Sequence, residues 1–223
     1  MRTFVAAPAQ AGPWPGVIFY TDIFQLTEAS VRWAVRLAGH GFVVATPEIY
    51  HRIEAPGTVL GFDDEGKARG QADVEALTTA EFDEDVAAGV AWLKERTGTV
   101  GASGHCTGGH LAFRAAFLDD VQGTACWYPT GLHNGKLGKD QADSLARSAE
   151  IDGELLMIFG VRDPHTPPAG RRTVHEAIQD RRFTWHEYDA EHAFGRDIGA
   201  RFDPEATDAA FAATVAFFRR VLR

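Results

Sequence analysis

The chain has 223 residues, 45% of them hydrophobic and 24% charged, the make-up of a folded globular protein of a size that one α/β domain can reach. A formal net charge of −9 repels phosphate backbones and anionic lipid, which argues against nucleic acid and membrane surfaces as partners. No apolar run reaches the length of a membrane span, Met1 to Gln10 holds no secretory core, and two cysteines make no disulfide framework, so the expected setting is cytoplasmic, where a reduced thiol is free for chemistry.

Short β-rich runs alternate with helical patterns along the chain. Strand Gly16–Thr21 leads to helix Thr27–His40 and strand Phe42–Thr46. After a long polar, Gly-rich connection from Glu48 to Thr78 come helix Thr79–Thr97, strand Thr99–Ser103, helix Gly108–Leu118 and strand Gly123–Trp127. A second long connection, Trp127 to Gly153, precedes strand Leu155–Gly160, helix Ala169–Gln179, strand Phe183–Tyr188 and helix Pro204–Leu222. Several strands are continuous apolar runs, as expected where both faces are covered. The alternation implies an α/β fold with a mostly parallel central sheet flanked by helices on both faces. No repeat, low-complexity tract or linker divides residues 1–223, which read as one domain.

Ligands of such sheets bind at the carboxyl ends of the strands, so the residues just after each strand are the ones to inspect. Gly104-His105-Cys106-Thr107-Gly108-Gly109 fits G-x-C-x-G-G between a strand and a helix. This is the context of a nucleophile elbow, the hallmark of the α/β-hydrolase fold, in which a strained turn lifts the nucleophile above the sheet. The glycines are required where backbones meet too closely for side chains, and the helix N-terminus favours a thiolate. The bland alternative is a Gly-rich turn with an inert buried Cys.

An elbow nucleophile needs a base, and the base an orienting acid. In this fold the chain order is nucleophile, acid, His. His192 follows the last strand and Asp163 follows strand Leu155–Gly160, both at the expected edge. Asp152, Asp180, Asp189, His165, His175 and His186 are less well placed. The oxyanion of acyl transfer would meet two backbone N–H groups, those of Thr107 and Ile23. Phe24, Trp127, Tyr128 and Phe194 lie at strand ends, where they could line an apolar pocket or simply pack. Cys126 reads as core. The histidines lack metal-ligand spacing, so no metal is expected.

With these residues in hand, the sequence resembles the dienelactone hydrolase family over nearly its whole length. The resemblance rests on Tyr20-Thr21-Asp22-Ile23-Phe24, on Thr46-Pro47-Glu48-Ile49-Tyr50, on the Cys in the elbow, and on His192-Ala193-Phe194-Gly195-Arg196. It implies cofactor-independent hydrolysis of a small-molecule ester or lactone, through a thioester on Cys106. In the family a Glu at the place of Asp22 holds the resting thiol protonated. Asp22 is one methylene shorter, so a thiol-modulating switch and a plain loop cap both remain open. The family holds a substrate carboxylate with arginines. Arg196 matches one by position, and Arg69 or Lys67 is the candidate for the second. A general carboxylesterase or thioesterase, and a catalytically silent ligand-binding homologue, are the competing readings, and the oligomeric state is a monomer or a homodimer.

Overall fold

The apolar runs assemble into one seven-stranded sheet, in a computed structural model that describes residues 1–223. Its strands are β1 (Thr3–Ala6), β2 (Gly16–Tyr20), β3 (Val43–Pro47), β4 (Val100–His105), β5 (Val121–Trp127), β8 (Glu154–Gly160) and β9 (Phe183–Tyr188), in the order β1-β3-β2-β4-β5-β8-β9. All neighbours are parallel except the β1–β3 pair at one edge. The helices are α1 (Glu28–Ala38), α2 (Asp64–Ala76), α3 (Thr79–Thr97), α4 (Thr107–Ala115), α5 (Pro168–Ile178) and α6 (Pro204–Val221).

Period-two alternation sends successive strand residues to opposite faces. Ile18, Ala102, Leu155, Met157 and Phe159 pack on one face against Leu93 of α3, Leu111 of α4 and Ile178 of α5. Val17, Phe19, Leu156 and Ile158 pack on the other against Trp33 of α1 and Phe211 and Phe218 of α6. Both faces are therefore apolar and covered, which explains the uninterrupted runs of β2 and β8.

Two elements lie where the sequence reading has only a connection or a terminus. β1 is a four-residue edge strand, too short to show alternation. α2 sits inside the Glu48–Thr78 connection. Its sequence, DEGKARGQADVEA, has two glycines and no apolar stripe, so helical periodicity is silent. Asp63 caps it by accepting from the Gly66 N–H at 2.7 Å. The glycines that hide the helix are what dock it, because a Cβ on Gly70 would collide with the Ile23 carbonyl. The Trp127–Gly153 connection holds two single 3-10 turns and a two-residue strand pair, β6 (Lys136–Leu137) with β7 (Asp140–Gln141).

Because α2 rests on the loop after β2, Gly70→Ala should press on that loop. Overpacking at such a contact typically costs about 1–3 kcal/mol. Urea unfolding should show that loss, and ester hydrolysis should fall further than the folded fraction does, whereas wild-type stability in the alanine variant would show that the α2 contact is loose.

Candidate active site

The elbow is built from close approaches. Cys106 takes φ 58° and ψ −120°, which aims its side chain away from the sheet. A Cβ on Gly104 would strike the Gly108 carbonyl, and one on Gly108 would strike the Tyr20 and Thr21 carbonyls. The Cys106 N–H donates to the Trp127 carbonyl at 3.1 Å, tying the turn to β5.

Three loops bring polar side chains to the sulfur. His192 Nε2 lies 3.2 Å from Cys106 Sγ. Its Nδ1 lies 2.7 Å from Asp163 Oδ2, so Nδ1–H donates to the carboxylate. The other Asp163 oxygen accepts the His165 N–H at 2.7 Å, fixing the carboxylate plane. The sulfur's second hydrogen-bond partner is Thr130 Oγ1 at 3.1 Å.

All of these groups are buried or half-buried, and charge decides their state. Burial alone would raise the Cys106 thiol, but the adjacent His192 charge and hydrogen bond prevail and hold it below its ordinary value. Burial likewise disfavours a charged His192, yet the sulfur and Asp163 together raise it well above its ordinary value. The directions are mutually consistent and favour a thiolate–imidazolium pair. Asp163 is lowered: burial opposes its charge, and the His192 and His165 hydrogen bonds overcome that.

The pair opens onto a cavity of about 570 Å³. Cys106, Thr107, Ile23, His192, Phe24 and Arg196 all reach its wall. The Ile23 N–H donates to no protein acceptor, and the Thr107 N–H, at the first helical position, has no intrahelical acceptor. Both residues line the cavity with these N–H groups unpaired.

Several expected site residues are placed differently. Arg69 is not on the cavity wall. Its guanidinium forks onto Glu54 at 2.6 and 2.7 Å on the exposed side of α2. Lys67, Gln71 and Val74 face the cavity at helical spacing, and two residues beyond Lys67 the helix has turned Arg69 away. Tyr128 and Phe194 are buried behind the site, in an aromatic cluster with His105 and Trp127, rather than lining it. Tyr128 meets the His192 ring edge-on, with centroids 5.3 Å apart. Asp22 makes no hydrogen bond to the thiol. One of its oxygens accepts the Phe24 N–H at 3.0 Å and the other pairs with Arg196 at 3.2 Å. The short Asp arm is held by these partners, and it acts on the sulfur through charge alone, opposing the thiolate. Arg196 also lies over the rings of Phe62 and Phe24, at 4.4 and 5.1 Å from their centroids. Cys126, on β5, is a fully buried core residue. Thr130, His133, His165 and Arg201 also reach the cavity. Their only sequence signal is their place in the loops after strands.

A model of the dienelactone hydrolase family matches residues 1–222. The chain belongs to the dienelactone hydrolase family. A Saccharomyces cerevisiae protein named "Putative carboxymethylenebutenolidase" is 35% identical over 240 residues, which cover 100% of this chain and 88% of the relative. The carboxymethylenebutenolidase of Pseudomonas sp. strain P51 is 26% identical over 94% of this chain and 86% of its own length. A Klebsiella pneumoniae crystal structure named "Putative Dienelactone Hydrolase" superposes with a TM-score of 0.82 at 21% identity, covering 96% of this chain and 90% of that one. Membership makes this chain a hydrolase of the ester or lactone type, with the α/β-hydrolase fold. No helix is long and apolar enough to cross a membrane.

These shifts set a pH dependence. A lowered thiol is a thiolate above its depressed midpoint, and the thiolate is lost as pH falls through it. Alkylation of Cys106 by iodoacetamide should therefore show a midpoint below the ordinary 9.0. Asp163→Asn should move it back toward 9.0, because the imidazolium loses its support. A wild-type midpoint at or above 9.0 would exclude the ion pair.

Proposed function

We propose that this chain hydrolyses small esters or lactones through a thioester on Cys106, with His192 as general acid and base and Asp163 as its orienting partner. The observation that carries the reading is the 3.2 Å contact between His192 Nε2 and Cys106 Sγ on an open cavity, with Asp163 2.7 Å behind the ring.

The chemistry follows from those positions. The thiolate attacks the carbonyl carbon, and the carbonyl π electrons move to oxygen. The N–H groups of Ile23 and Thr107 receive the developing negative charge. Collapse of the tetrahedral adduct expels the alkoxide, which takes the proton from His192 Nε2. In a lactone the freed hydroxyl stays tethered to the acyl group. Neutral His192 then removes a proton from water, whose oxygen attacks the thioester. The second adduct expels the thiolate, restoring the ion pair. Asp163 holds Nδ1 protonated throughout and offsets the imidazolium charge.

The Asp22–Arg196 pair suits a carboxylated substrate. A substrate carboxylate in the cavity competes with Asp22 for the Arg196 guanidinium, which can offer two parallel hydrogen bonds. Lys67 on the same wall adds a positive charge with no ion-pair partner, whereas Arg201 there pairs with Glu191 at 3.6 Å, and Asp63, Asp64 and Glu75 also line the cavity.

Cys106→Ala should abolish turnover of p-nitrophenyl acetate with the fold intact by circular dichroism, and mass spectrometry of a quenched wild-type reaction should find the acyl group on Cys106. Full activity in the alanine variant would end the reading. The role of Arg196 is best tested in an Asp22→Asn background, where no orphaned carboxylate is left beside the sulfur. There Arg196→Ala should lower kcat/KM about ten- to hundredfold for a carboxylated lactone, the worth of a charged hydrogen bond. The matched methyl ester should lose little. Equal losses on both substrates would assign Arg196 to supporting the loop after β9.

A further inference from the structure

The sulfur has a partner outside the proposed Cys106, His192 and Asp163 set. Thr130 Oγ1 lies 3.1 Å from Cys106 Sγ and makes no other hydrogen bond. Its backbone is held on two sides. The Thr130 N–H donates to the Cys106 carbonyl at 3.1 Å, and the Thr130 carbonyl faces His110 Nδ1 at 3.1 Å. Two residues earlier, Tyr128 takes φ 36°, a conformation costly for a bulky residue, and Pro129 then constrains the turn.

His110 continues a buried line. The Thr130 carbonyl can only accept, so His110 Nδ1 carries the proton. Its Nε2 is then the acceptor and takes the Ser144 hydroxyl at 2.7 Å. Ser144 Oγ in turn accepts from Arg114 Nη1 at 2.9 Å. Arg114 is buried on α4 and fixed by Asp83 and Asp143. Burial keeps His110 neutral, lowering it to about 3, so one ring nitrogen stays free to accept.

We propose that Thr130 is a further catalytic residue, whose hydroxyl donates to the Cys106 thiolate, and that His110, Ser144 and Arg114 are positioning residues that hold it there. This rests on the reading of Cys106 as nucleophile. When His192 is protonated, its Nε2–H donates to the sulfur, which carries no proton. The Thr130 hydroxyl is then the donor as well. Two donors instead of one stabilise the resting thiolate and aim its free lone pair at the cavity. When the C–S bond forms, the sulfur loses its charge and the Thr130 bond weakens. When that bond breaks in thioester hydrolysis, the departing thiolate regains it. No proton leaves Thr130 at any step.

The other charged or titratable groups acting on the sulfur are Asp22 from the loop after β2, and Tyr50 and Tyr128 from those after β3 and β5. None of them bonds the Thr130 hydroxyl, so a Thr130 variant leaves their charges in place.

The test uses rates of Cys106 alkylation by iodoacetamide against pH, with the adduct located by mass spectrometry. Thr130→Val keeps the shape and removes the donor. It should raise the midpoint by about one pH unit, the worth of one hydrogen bond to a charged group. A thiolate of higher pKa is the stronger nucleophile, with a Brønsted slope near one half. The profiles should therefore cross: alkylation about threefold slower than wild type on the acid side, and about threefold faster on the alkaline side. Thr130→Ser should restore the wild-type profile. Ser144→Ala should give a weaker crossing, absent when Val occupies position 130, since the line acts through Thr130. A parallel decline at every pH, or superimposed profiles, would overturn the proposal. If Thr130→Val does not fold, Thr130→Ala and Ser144→Ala decide by the same crossing or its absence. Cys106→Ala separates the two levels. If that variant still turns over p-nitrophenyl acetate, the nucleophile reading fails, and the Thr130 proposal with it. If it is inactive while the Thr130→Val profile matches wild type, only the Thr130 proposal fails.

Discussion

The fold around Cys106 depends on one constraint: the turn between β4 and α4 has no room for a side chain at Gly104, Gly108 or Gly109. Gly108 touches the Tyr20 and Thr21 carbonyls, Gly109 approaches the Trp127 carbonyl and Pro129, and Gly104 touches Gly108. These contacts bind the elbow to both neighbouring strands of the sheet, β2 and β5. The loops that leave those strands carry Ile23 and Thr130. The spacing between the sulfur, the Ile23 N–H and the Thr130 hydroxyl is therefore set by backbone packing. A methyl group at any of these glycines would meet main-chain atoms rather than side chains.

Backbone strain is gathered at the same edge. The non-glycine residues with positive φ are Gln25, Cys106, Tyr128 and Ala193. They follow β2, β4, β5 and β9, and each lies within two residues of a group that faces or bonds the sulfur's cavity. Such conformations cost of order 1–3 kcal/mol each and persist only where packing over-determines them. Here that packing is visible. The Gln25 side chain accepts the Tyr50 N–H at 3.3 Å, and the rings of Tyr128, Phe194 and Trp127 meet edge-on or tilted beneath the site, with His105 against Tyr128 and Trp127. His105 is buried among aromatics and held neutral, lowered to about 3, so it brings no competing cation to the sulfur. The aromatic residues flagged by their strand-end position thus form a rigid floor, while Phe24 alone of the residues proposed as apolar lining reaches the cavity.

What was legible in the sequence was what has a strong local signal. The parallel strands are apolar runs, the elbow is a glycine pattern, and Asp163 and His192 sit at predictable distances past strands. Less legible was whatever depends on a close approach between distant segments. α2 has no apolar stripe because it docks through Gly66 and Gly70, so Arg69 and Lys67 could not be told apart until the helix phase was known. Thr130 carries no motif, and its meaning comes from a carbonyl bonded by a histidine twenty residues away. The Asp22–Arg196 pair joins groups 174 residues apart, and no spacing rule anticipates it.

That pair bears on the charge balance of the whole cavity. A buried thiolate is costly unless paired and hydrogen-bonded, and Asp22 and Asp163 bring two more carboxylates into the same region. His192 is shared between the sulfur and Asp163, so one cation faces two anions. Arg196 answers Asp22. With all of these groups ionised, the sum near the sulfur is one negative charge in excess. On the proposed reading, a carboxylated substrate adds a further one, and it must be drawn in against a body of net charge −9. Lys67, which has no ion-pair partner, reaches the same cavity wall, where its charge can act before the substrate arrives at Arg196. Withdrawing Arg196 from Asp22 then leaves a buried carboxylate without its counter-ion beside a thiolate. Burial already raises Asp22, so uptake of a proton is its least costly response. On that reading, substrate charge and the protonation state of Asp22 are coupled through a single guanidinium.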